Sequence, residues 1–236
     1  MRLAPGVLRI PTSTGDRDNA FLVDGDDGYT LVDVGWKRAP AAIRAALDEA
    51  GRSTQDITKI VITHAHPDHV RGLAEVVAMT SAAVLIHRLD APWLRGGRVP
   101  ATGRSSAIGR VLDAAPLLHW KPVAPDVLLD GGEVIDGLRV INTPGHSPGH
   151  IVLLHEPTNA LLVGDAVFHR GDDITTGPDT LAMDPGQRGA SVKLLPHDVA
   201  AVGFAHGTPL TGTAVDKFEA FLQSSRTRPM SSTDDT

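Results

Sequence analysis

The stretch Lys59-Ile60-Val61-Ile62-Thr63-His64-Ala65-His66-Pro67-Asp68-His69 places three imidazoles and a carboxylate directly after a short apolar run. The run has the length and the β-branched residues of a buried strand, and residues 70–79 carry apolar side chains at helical spacing. The motif is therefore predicted to lie on a loop between a strand and a helix. Imidazole nitrogens and carboxylate oxygens are ligands of Zn²⁺ and similar cations, so the motif predicts a metal site.

Asp68 has a second interpretation, because it stands where the N-cap of the following helix is expected. A cap would account for this carboxylate but for none of the three histidines around it. The metal-ligand interpretation is preferred for that reason, and both interpretations stay open at the level of the sequence.

The composition narrows the class of protein. The 236 residues are 42% hydrophobic and 21% charged, as in an ordinary globular protein. Because the chain has no cysteine, disulfides, cysteine-bound zinc and thiol catalysis are excluded. The net charge of −6 argues against a nucleic-acid partner. Neither a long apolar span nor the apolar core of a signal peptide is visible, so we expect a cytoplasmic protein with no membrane partner.

Strands and helices alternate along the chain. Apolar and β-branched runs predict strands at residues 7–10, 21–24, 30–34, 59–62, 83–87, 127–129, 138–141, 151–155, 160–163 and 201–205. Helical spacing predicts helices at residues 40–50, 70–79 and 214–223. Two groups of strands, each flanked by helices, favour two sheets packed face to face with helices outside.

We predict a single domain over residues 1–223. Residues 94–122, rich in Gly, Pro and Arg, form a predicted insertion that is either a lid over the site or a solvated surface segment, with a short helix near residues 106–114. Arg95, Arg98 and Arg104 of this segment are candidates for attracting an anionic substrate. Residues 224–236 contain almost nothing apolar and are predicted to be a disordered tail.

Three further clusters carry ligand-type residues at the ends of predicted strands. In Thr143-Pro144-Gly145-His146-Ser147-Pro148-Gly149-His150, glycine and proline on both sides of His146 favour a tight loop with a fixed imidazole. Asp165 follows a strand that reads as buried on both faces, where a carboxylate is costly unless it is paired or bound to a cation. His206 again ends an apolar run. Each of these is a weak signal alone, since a single histidine at a strand end is more often structural.

Taken together and in this order, the four clusters resemble the metallo-β-lactamase superfamily, in its glyoxalase II-like or lactonase-like branch. The resemblance implies a four-layer αβ/βα sandwich of two mixed β-sheets flanked by helices. It also implies two Zn²⁺ ions. By resemblance, His64, His66 and His146 match the ligands of the first ion, Asp68, His69 and His206 match those of the second, and Asp165 matches the carboxylate that bridges both.

The resemblance implies hydrolysis of a small ester, thioester or lactone, with a metal-bridging hydroxide as the nucleophile. Two divalent ions and two aspartates would give the metal centre a net charge of roughly +2. This charge is sufficient to ionise a bound water molecule near neutral pH. Asp68 is the expected catalytic residue, because it would orient the nucleophile as well as bind the second ion. The positive centre in an acidic chain favours a small-molecule substrate, which we expect to be anionic.

Other histidines and the single tyrosine have smaller expected roles. His150 matches no ligand position and is expected to fix a loop by hydrogen bonding. His169, shortly after Asp165, is a candidate pocket residue. Tyr29 lies in an early strand, so the tyrosine that acyl-homoserine lactonases place over their metals is not expected here.

Three functions remain open, and hydrolysis of a small ester, thioester or lactone is the first. Hydroxyacylglutathione hydrolases share the motifs but usually add a helical substrate domain, whereas residues 207–236 alone follow the last ligand, so glutathione thioester cleavage by that arrangement is not expected. Persulfide dioxygenases resemble the chain in fold and length and bind one Fe²⁺ through residues that would correspond to His64, His146 and Asp165. A metal-binding module without catalysis is the third alternative.

Overall fold

A computed structural model describes residues 1–227 of the chain. Its strands and helices follow one another as β1 (Arg2–Ala4), β2 (Val7–Pro11), β3 (Asn19–Gly25), β4 (Gly28–Val32), α1 (Ala39–Glu49), β5 (Ile57–Ile62), α2 (Pro67–Val70), α3 (Leu73–Thr80), β6 (Ala83–His87), α4 (Ala91–Gly96), α5 (Ala107–Asp113), β7 (Val127–Leu129), β8 (Val134–Ile135), β9 (Leu138–Asn142), β10 (Ile151–His155), β11 (Ala160–Leu162), β12 (Phe168–Arg170), β13 (Asp173–Thr175), α6 (Pro185–Val192), β14 (Ala201–Gly203), β15 (Leu210–Thr211) and α7 (Asp216–Thr227).

The strands form two large mixed sheets. The first has the order β1-β2-β3-β4-β5-β6-β7, in which β4 to β7 run parallel, and the second has the order β15-β14-β11-β10-β9-β8. A separate hairpin pairs β12 with β13. In the second sheet, β11 and β14 are the parallel pair. The carboxyl ends of parallel strands meet at one edge of each sheet, where the candidate site lies.

Alternation along the strands separates three hydrophobic layers. In β5, Val61 faces the core between the two sheets, whereas Ile60 and Ile62 face the helices on the outside. On the other side, Phe218 of α7 packs with Val202 of β14 in a third layer. The predicted four-layer αβ/βα sandwich is therefore confirmed. Within residues 1–227, no helix is long and apolar enough to cross a membrane.

Two predicted helices differ from the structure by more than one residue. The helix predicted over residues 70–79 is divided into α2 and α3, which begins at Leu73. The last helix continues to Thr227, so residues 224–227 are helical rather than part of a disordered tail. The rest of the predicted tail, residues 228–236, lies outside the described residues.

The segment 94–122 is anchored in the core of the first half. It contains the predicted short helix, α5, with Ser106 as its N-cap, and its side chains Leu94, Val99 and Trp120 are buried in the first hydrophobic layer. The segment is therefore more than a solvated surface excursion. Its role as a lid stays a prediction.

Candidate metal centre

The histidine-rich motif lies between β5, which ends at Ile62, and α2, which begins at Pro67. This confirms the predicted strand-to-helix loop. The N-cap residue of α2 is His66, and Asp68 lies inside the first turn of the helix. The capping interpretation of Asp68 is therefore wrong. Its carboxylate lies 3.3 Å from Nε2 of His206 instead.

The structure brings all seven predicted ligands together at one edge of the two sheets. They fall into two sets, and within each set the ligand atoms lie within 4.8 Å of one another. The first set is His64, His66 and His146, and the second is Asp68, His69, Asp165 and His206. The four loops that supply them follow β5, β9, β11 and β14.

Asp165 lies between the two sets and presents one carboxylate oxygen to each. Its Oδ1 is 3.1 Å from Nε2 of His69 and 3.2 Å from Nε2 of His206. Its Oδ2 is 3.2 Å from Nε2 of His146 and 4.0 Å from Nε2 of His64. The carboxylate therefore has the position that a ligand shared between two ions requires.

Burial lowers the pKa of His64, His66 and His146 well below the usual value for histidine. These three imidazoles are therefore neutral at pH 7, and a neutral imidazole keeps the lone pair that binds a metal. Nδ1 of His66 and Nε2 of His146 lie within hydrogen-bond distance of each other, at 2.8 Å, so the two rings meet edge to edge in the first set.

The second set has the opposite electrostatic character. Burial opposes protonation of His69, but the carboxylates of Asp33 and Asp165 hold its pKa well above the usual value. Burial likewise opposes protonation of His206, and Asp165 raises its pKa well above the usual value. Burial would raise the pKa of Asp165. The surrounding imidazoles nevertheless keep this pKa well below the usual value, and His206 has the largest lowering effect. This half of the site is therefore built around a buried negative charge.

The donor atoms fit a divalent cation. Nε2 of His64, Nε2 of His69 and Oδ1 of Asp165 are buried and make no aligned hydrogen bond to any residue in the described part of the chain. Buried polar atoms normally have hydrogen-bond partners, because leaving one unpaired costs about 1–3 kcal/mol. Buried nitrogen and oxygen atoms that lie close together and lack an aligned hydrogen bond are suited to binding a metal ion.

Asp33, which the sequence analysis did not select, orients His69. It follows β4 and has φ of 58°, an uncommon conformation for a residue other than glycine. Its carboxylate accepts hydrogen bonds from the backbone N–H of Thr63 at 2.8 Å, from the hydroxyl of Thr63 at 2.7 Å and from Nδ1 of His69 at 2.8 Å. Nε2 of His69 is thereby directed toward Asp165.

Asp90 and His150 connect the ligand loops. The carboxylate of Asp90 is fully buried and accepts hydrogen bonds from the N–H of Ala65, the hydroxyl of Ser147 and the N–H of Gly149. It therefore joins the loop after β5 to the loop after β9. Nε2 of His150 accepts a hydrogen bond of 2.9 Å from the N–H of Asp165. His150 thus makes the loop-fixing hydrogen bond that was predicted for it.

A cavity of about 740 Å³ opens against the second set. Asp68 and His206 form part of its wall, together with the predicted pocket residue His169 and with Trp36. Tyr29 lies at the start of β4, away from this edge of the sheet, as expected. None of the residues that line this cavity comes from the segment 94–122. The charged wall comes from Arg17 and Arg170 instead.

Arg104 is not among the residues that line the cavity, so the structure does not place its guanidinium in contact with a substrate there. Its guanidinium is buried and forms an ion pair with the buried carboxylate of Asp113, 2.5 Å from Nε of Arg104, and it donates to the carbonyl of Leu181. These contacts join α5, which contains Asp113, to the segment around Leu181. Arg95 and Arg98 are exposed, but neither lines the cavity.

The family follows from comparison with known proteins. A model described as the metallo-beta-lactamase superfamily matches residues 14–206. The chain belongs to this superfamily. The probable metallo-hydrolase YybB of Bacillus subtilis (strain 168) is 30% identical over 175 residues, which are 71% of this chain and 67% of YybB.

Two other proteins that are similar to this chain bear on the chemistry. A hydroxyacylglutathione hydrolase of Rhodopseudomonas palustris (strain BisB18) is 29% identical over 164 residues, which are 70% of this chain and 53% of that enzyme. The chain therefore spans about half the length of that relative. The crystal structure of TTHA1623 in a di-iron-bound form is 28% identical, with a TM-score of 0.65, and covers 86% of this chain and 93% of TTHA1623.

Proposed function

We propose that this protein is a metal-dependent hydrolase of a small ester, thioester or lactone, with two divalent ions held by the seven residues of the two sets. The observation that carries the proposal is the position of Asp165, which presents Oδ1 to His69 and His206 and Oδ2 to His146. A single ion would need only one of the two carboxylate oxygens of Asp165.

The ions, when bound, would supply Lewis acidity for the scissile carbonyl and lower the pKa of the attacking water. Asp68 has the position to orient that water and to accept its proton, because its side chain is 25% exposed and lines the cavity, whereas that of Asp165 is only 4% exposed. The two carboxylates therefore have different roles. Asp165 would fix the separation of the two ions, and Asp68 would lie next to the substrate.

The relatives support hydrolysis in general and thioesters in particular. YybB is described as a probable metallo-hydrolase, and the Rhodopseudomonas relative as a hydroxyacylglutathione hydrolase. Since this chain aligns with about half of the latter, glutathione itself is not part of the proposal. A simple thioester is the substrate class with which to begin.

The metal is proposed to be zinc, and iron is the competing ion. TTHA1623, whose fold is similar, has been crystallised in a di-iron-bound form, which supports iron as the competing ion. The mononuclear iron dioxygenase alternative would use His64, His146 and Asp165 only. The second set, with Asp68, His69 and His206 gathered within 4.8 Å of Asp165, supports two ions instead.

The test is a metal count joined to a substrate screen. Protein purified without added metal is analysed for zinc and iron, and then assayed with esters, thioesters and lactones and for oxygen uptake with a persulfide. We expect about two ions per chain and hydrolysis that His66→Ala abolishes together with bound metal. His119→Ala is the matched control, because His119 lies outside both sets and should leave metal content and turnover unchanged. One iron per chain with oxygen uptake would refute the proposal.

A further inference from the structure

The cavity beside the second set has a distinctive distribution of charge. Two carboxylates, Asp18 and Asp68, lie in its wall, and both face His206, at 3.3 Å from Nδ1 and 3.3 Å from Nε2 respectively. The two guanidinium groups in the wall, Arg17 and Arg170, are exposed, and neither forms an ion pair with another residue in the described part of the chain. The positive charge in the cavity is therefore free to meet a ligand.

Arg170 is held in place by a stack of rings. Its guanidinium lies over the ring of Phe168, 5.5 Å from the centroid, and this ring stacks on His206 with centroids 4.9 Å apart and an angle of 3° between planes. Phe168 is buried, so the stack gives the arginine a fixed base. The guanidinium of Arg170 and the predicted metal ligand His206 therefore both contact the ring of Phe168.

The backbone of Arg17 is hydrogen-bonded to His206. Nδ1 of His206 donates a hydrogen bond of 2.6 Å to the carbonyl oxygen of Arg17. Trp36 forms another part of the wall and adds an aromatic side chain to it. The size of the cavity, about 740 Å³, is that of a small-molecule site.

We infer that Arg17 and Arg170 form a subsite for an anionic group of the substrate, so that the protein prefers small esters or thioesters that carry a carboxylate a few atoms from the scissile bond. This inference rests on the proposed function. Guanidinium groups recognise carboxylates through paired, charge-assisted hydrogen bonds. A metal centre of net positive charge beside them adds to the attraction for the anion.

The test uses two pairs of thioesters that differ only in charge. In the first pair, N-acetylcysteamine carries a glutaryl group or the corresponding terminal carboxamide, which places the charge on the acyl side. In the second, 3-mercaptopropionate or its amide carries an acetyl group, which places it on the leaving side. We expect a preference of about tenfold in kcat/KM for the anionic member of at least one pair, which corresponds to ~1.4 kcal/mol.

Variants assign the preference to the two arginines. Arg17→Gln and Arg170→Gln should each reduce the preference, and the double variant should remove it by lowering kcat/KM for the anionic thioesters toward the value for their neutral counterparts. Arg95→Gln with Arg98→Gln is the matched control, because these exposed cations do not line the cavity. Calorimetric titration with N-acetyltaurine, whose sulfonate is a poor metal ligand, gives a readout independent of turnover, and the double variant should weaken this binding.

Each outcome decides a different point. Equal kcat/KM for the charged and neutral members of both pairs overturns the anionic subsite and leaves the proposed hydrolase standing. A preference that survives in the double variant overturns the assignment to Arg17 and Arg170. Absence of turnover with all four compounds in metal-loaded protein refutes thioester hydrolysis and the subsite that depends on it.

Discussion

Replacing Asp90 with asparagine should loosen the candidate metal centre without changing any of its seven predicted ligands. Asp90 is fully buried. Its Oδ2 accepts hydrogen bonds from the N–H of Ala65 at 2.9 Å and from the hydroxyl of Ser147 at 2.7 Å, and its Oδ1 accepts from the N–H of Gly149 at 2.6 Å. Ala65 and Ser147 are each adjacent in sequence to a predicted ligand. Movement of either backbone would therefore move donor atoms of the first set.

The magnitude follows from the hydrogen-bond inventory. An asparagine has one oxygen, so its NH₂ group must face either the N–H of Ala65 or the N–H of Gly149, and one of these donors is left unsatisfied. A buried unsatisfied donor costs about 1–3 kcal/mol. Burial raises the pKa of Asp90, which means that its charged form is disfavoured, so the neutral amide recovers part of this loss. We expect a net destabilisation of about 1–2 kcal/mol and an approximately tenfold loss of metal affinity.

Urea unfolding measures the stability, and competition with a chelator measures the metal affinity. Asp136→Asn is the matched control, because Asp136 is also a largely buried carboxylate but accepts from Thr30 and Lys59 and contacts none of the predicted ligands. It should lower stability and leave metal affinity unchanged. If Asp90→Asn loses stability but keeps a metal affinity within about twofold of the parent protein, the idea that Asp90 positions the ligand loops is refuted.

Three further predictions concern the same region. Asp33→Asn removes an acceptor from His69 or Thr63, so metal affinity measured by chelator competition should fall by about 10–100-fold, and an unchanged affinity contradicts the orienting role. Removing metal with a chelator should lower the melting temperature, because an ion present at 1,000 times its Kd stabilises the folded state by about 4 kcal/mol; an identical melting curve contradicts a bound ion. Arg104→Gln leaves the Asp113 carboxylate buried without its cation, so urea unfolding should show a loss of about 3–5 kcal/mol, whereas the preference for anionic thioesters should not change.

The ligand positions could be predicted from the sequence because each follows an apolar run. A run such as Lys59–Ile62 marks a buried strand, and the polar residues after it have to lie at a sheet edge. His146, Asp165 and His206 carry the same signal. Their convergence in space could not be worked out from periodicity, because it depends on which strands are parallel and on how the two sheets face one another. The family resemblance supplied that step.

Asp33 and Asp90 were missed although their sequence signal resembles that of Asp165. Asp33 lies inside the predicted strand 30–34 and directly follows β4 of the structure, whereas Asp90 follows the predicted strand 83–87. Both carboxylates are almost completely buried. What identifies their roles is the pairing of neighbouring strands, since Asp33 contacts Thr63 across the β4–β5 pair and Asp90 contacts Ala65 across the β5–β6 pair. A motif search along the chain does not contain this information.

The arginines that line the cavity could not be predicted from the sequence, for a related reason. A cluster of arginines in residues 94–122 suggested a positive surface, but side-chain charge in a sequence says nothing about pairing. Arg104 forms an ion pair with Asp113, whereas Arg17 and Arg170 are far apart in the sequence and line the same cavity. Attraction of an anion depends on the cations that remain unpaired after folding, and only the three-dimensional structure identifies those.

The candidate metal centre spans the interface between the two sheets, and buried polar side chains join its two sides. Asn19 of β3, in the first sheet, donates through Nδ2 to the carbonyls of Phe204 and Gly207, which flank His206 after the second sheet's β14. Its Oδ1 accepts from Nε of Arg9 in β2. Neither sheet alone contains a complete set of ligands, since His64 and His66 come from the first and His146 from the second. Metal binding therefore requires both sheets to be folded and packed, and bound metal in turn stabilises that packing.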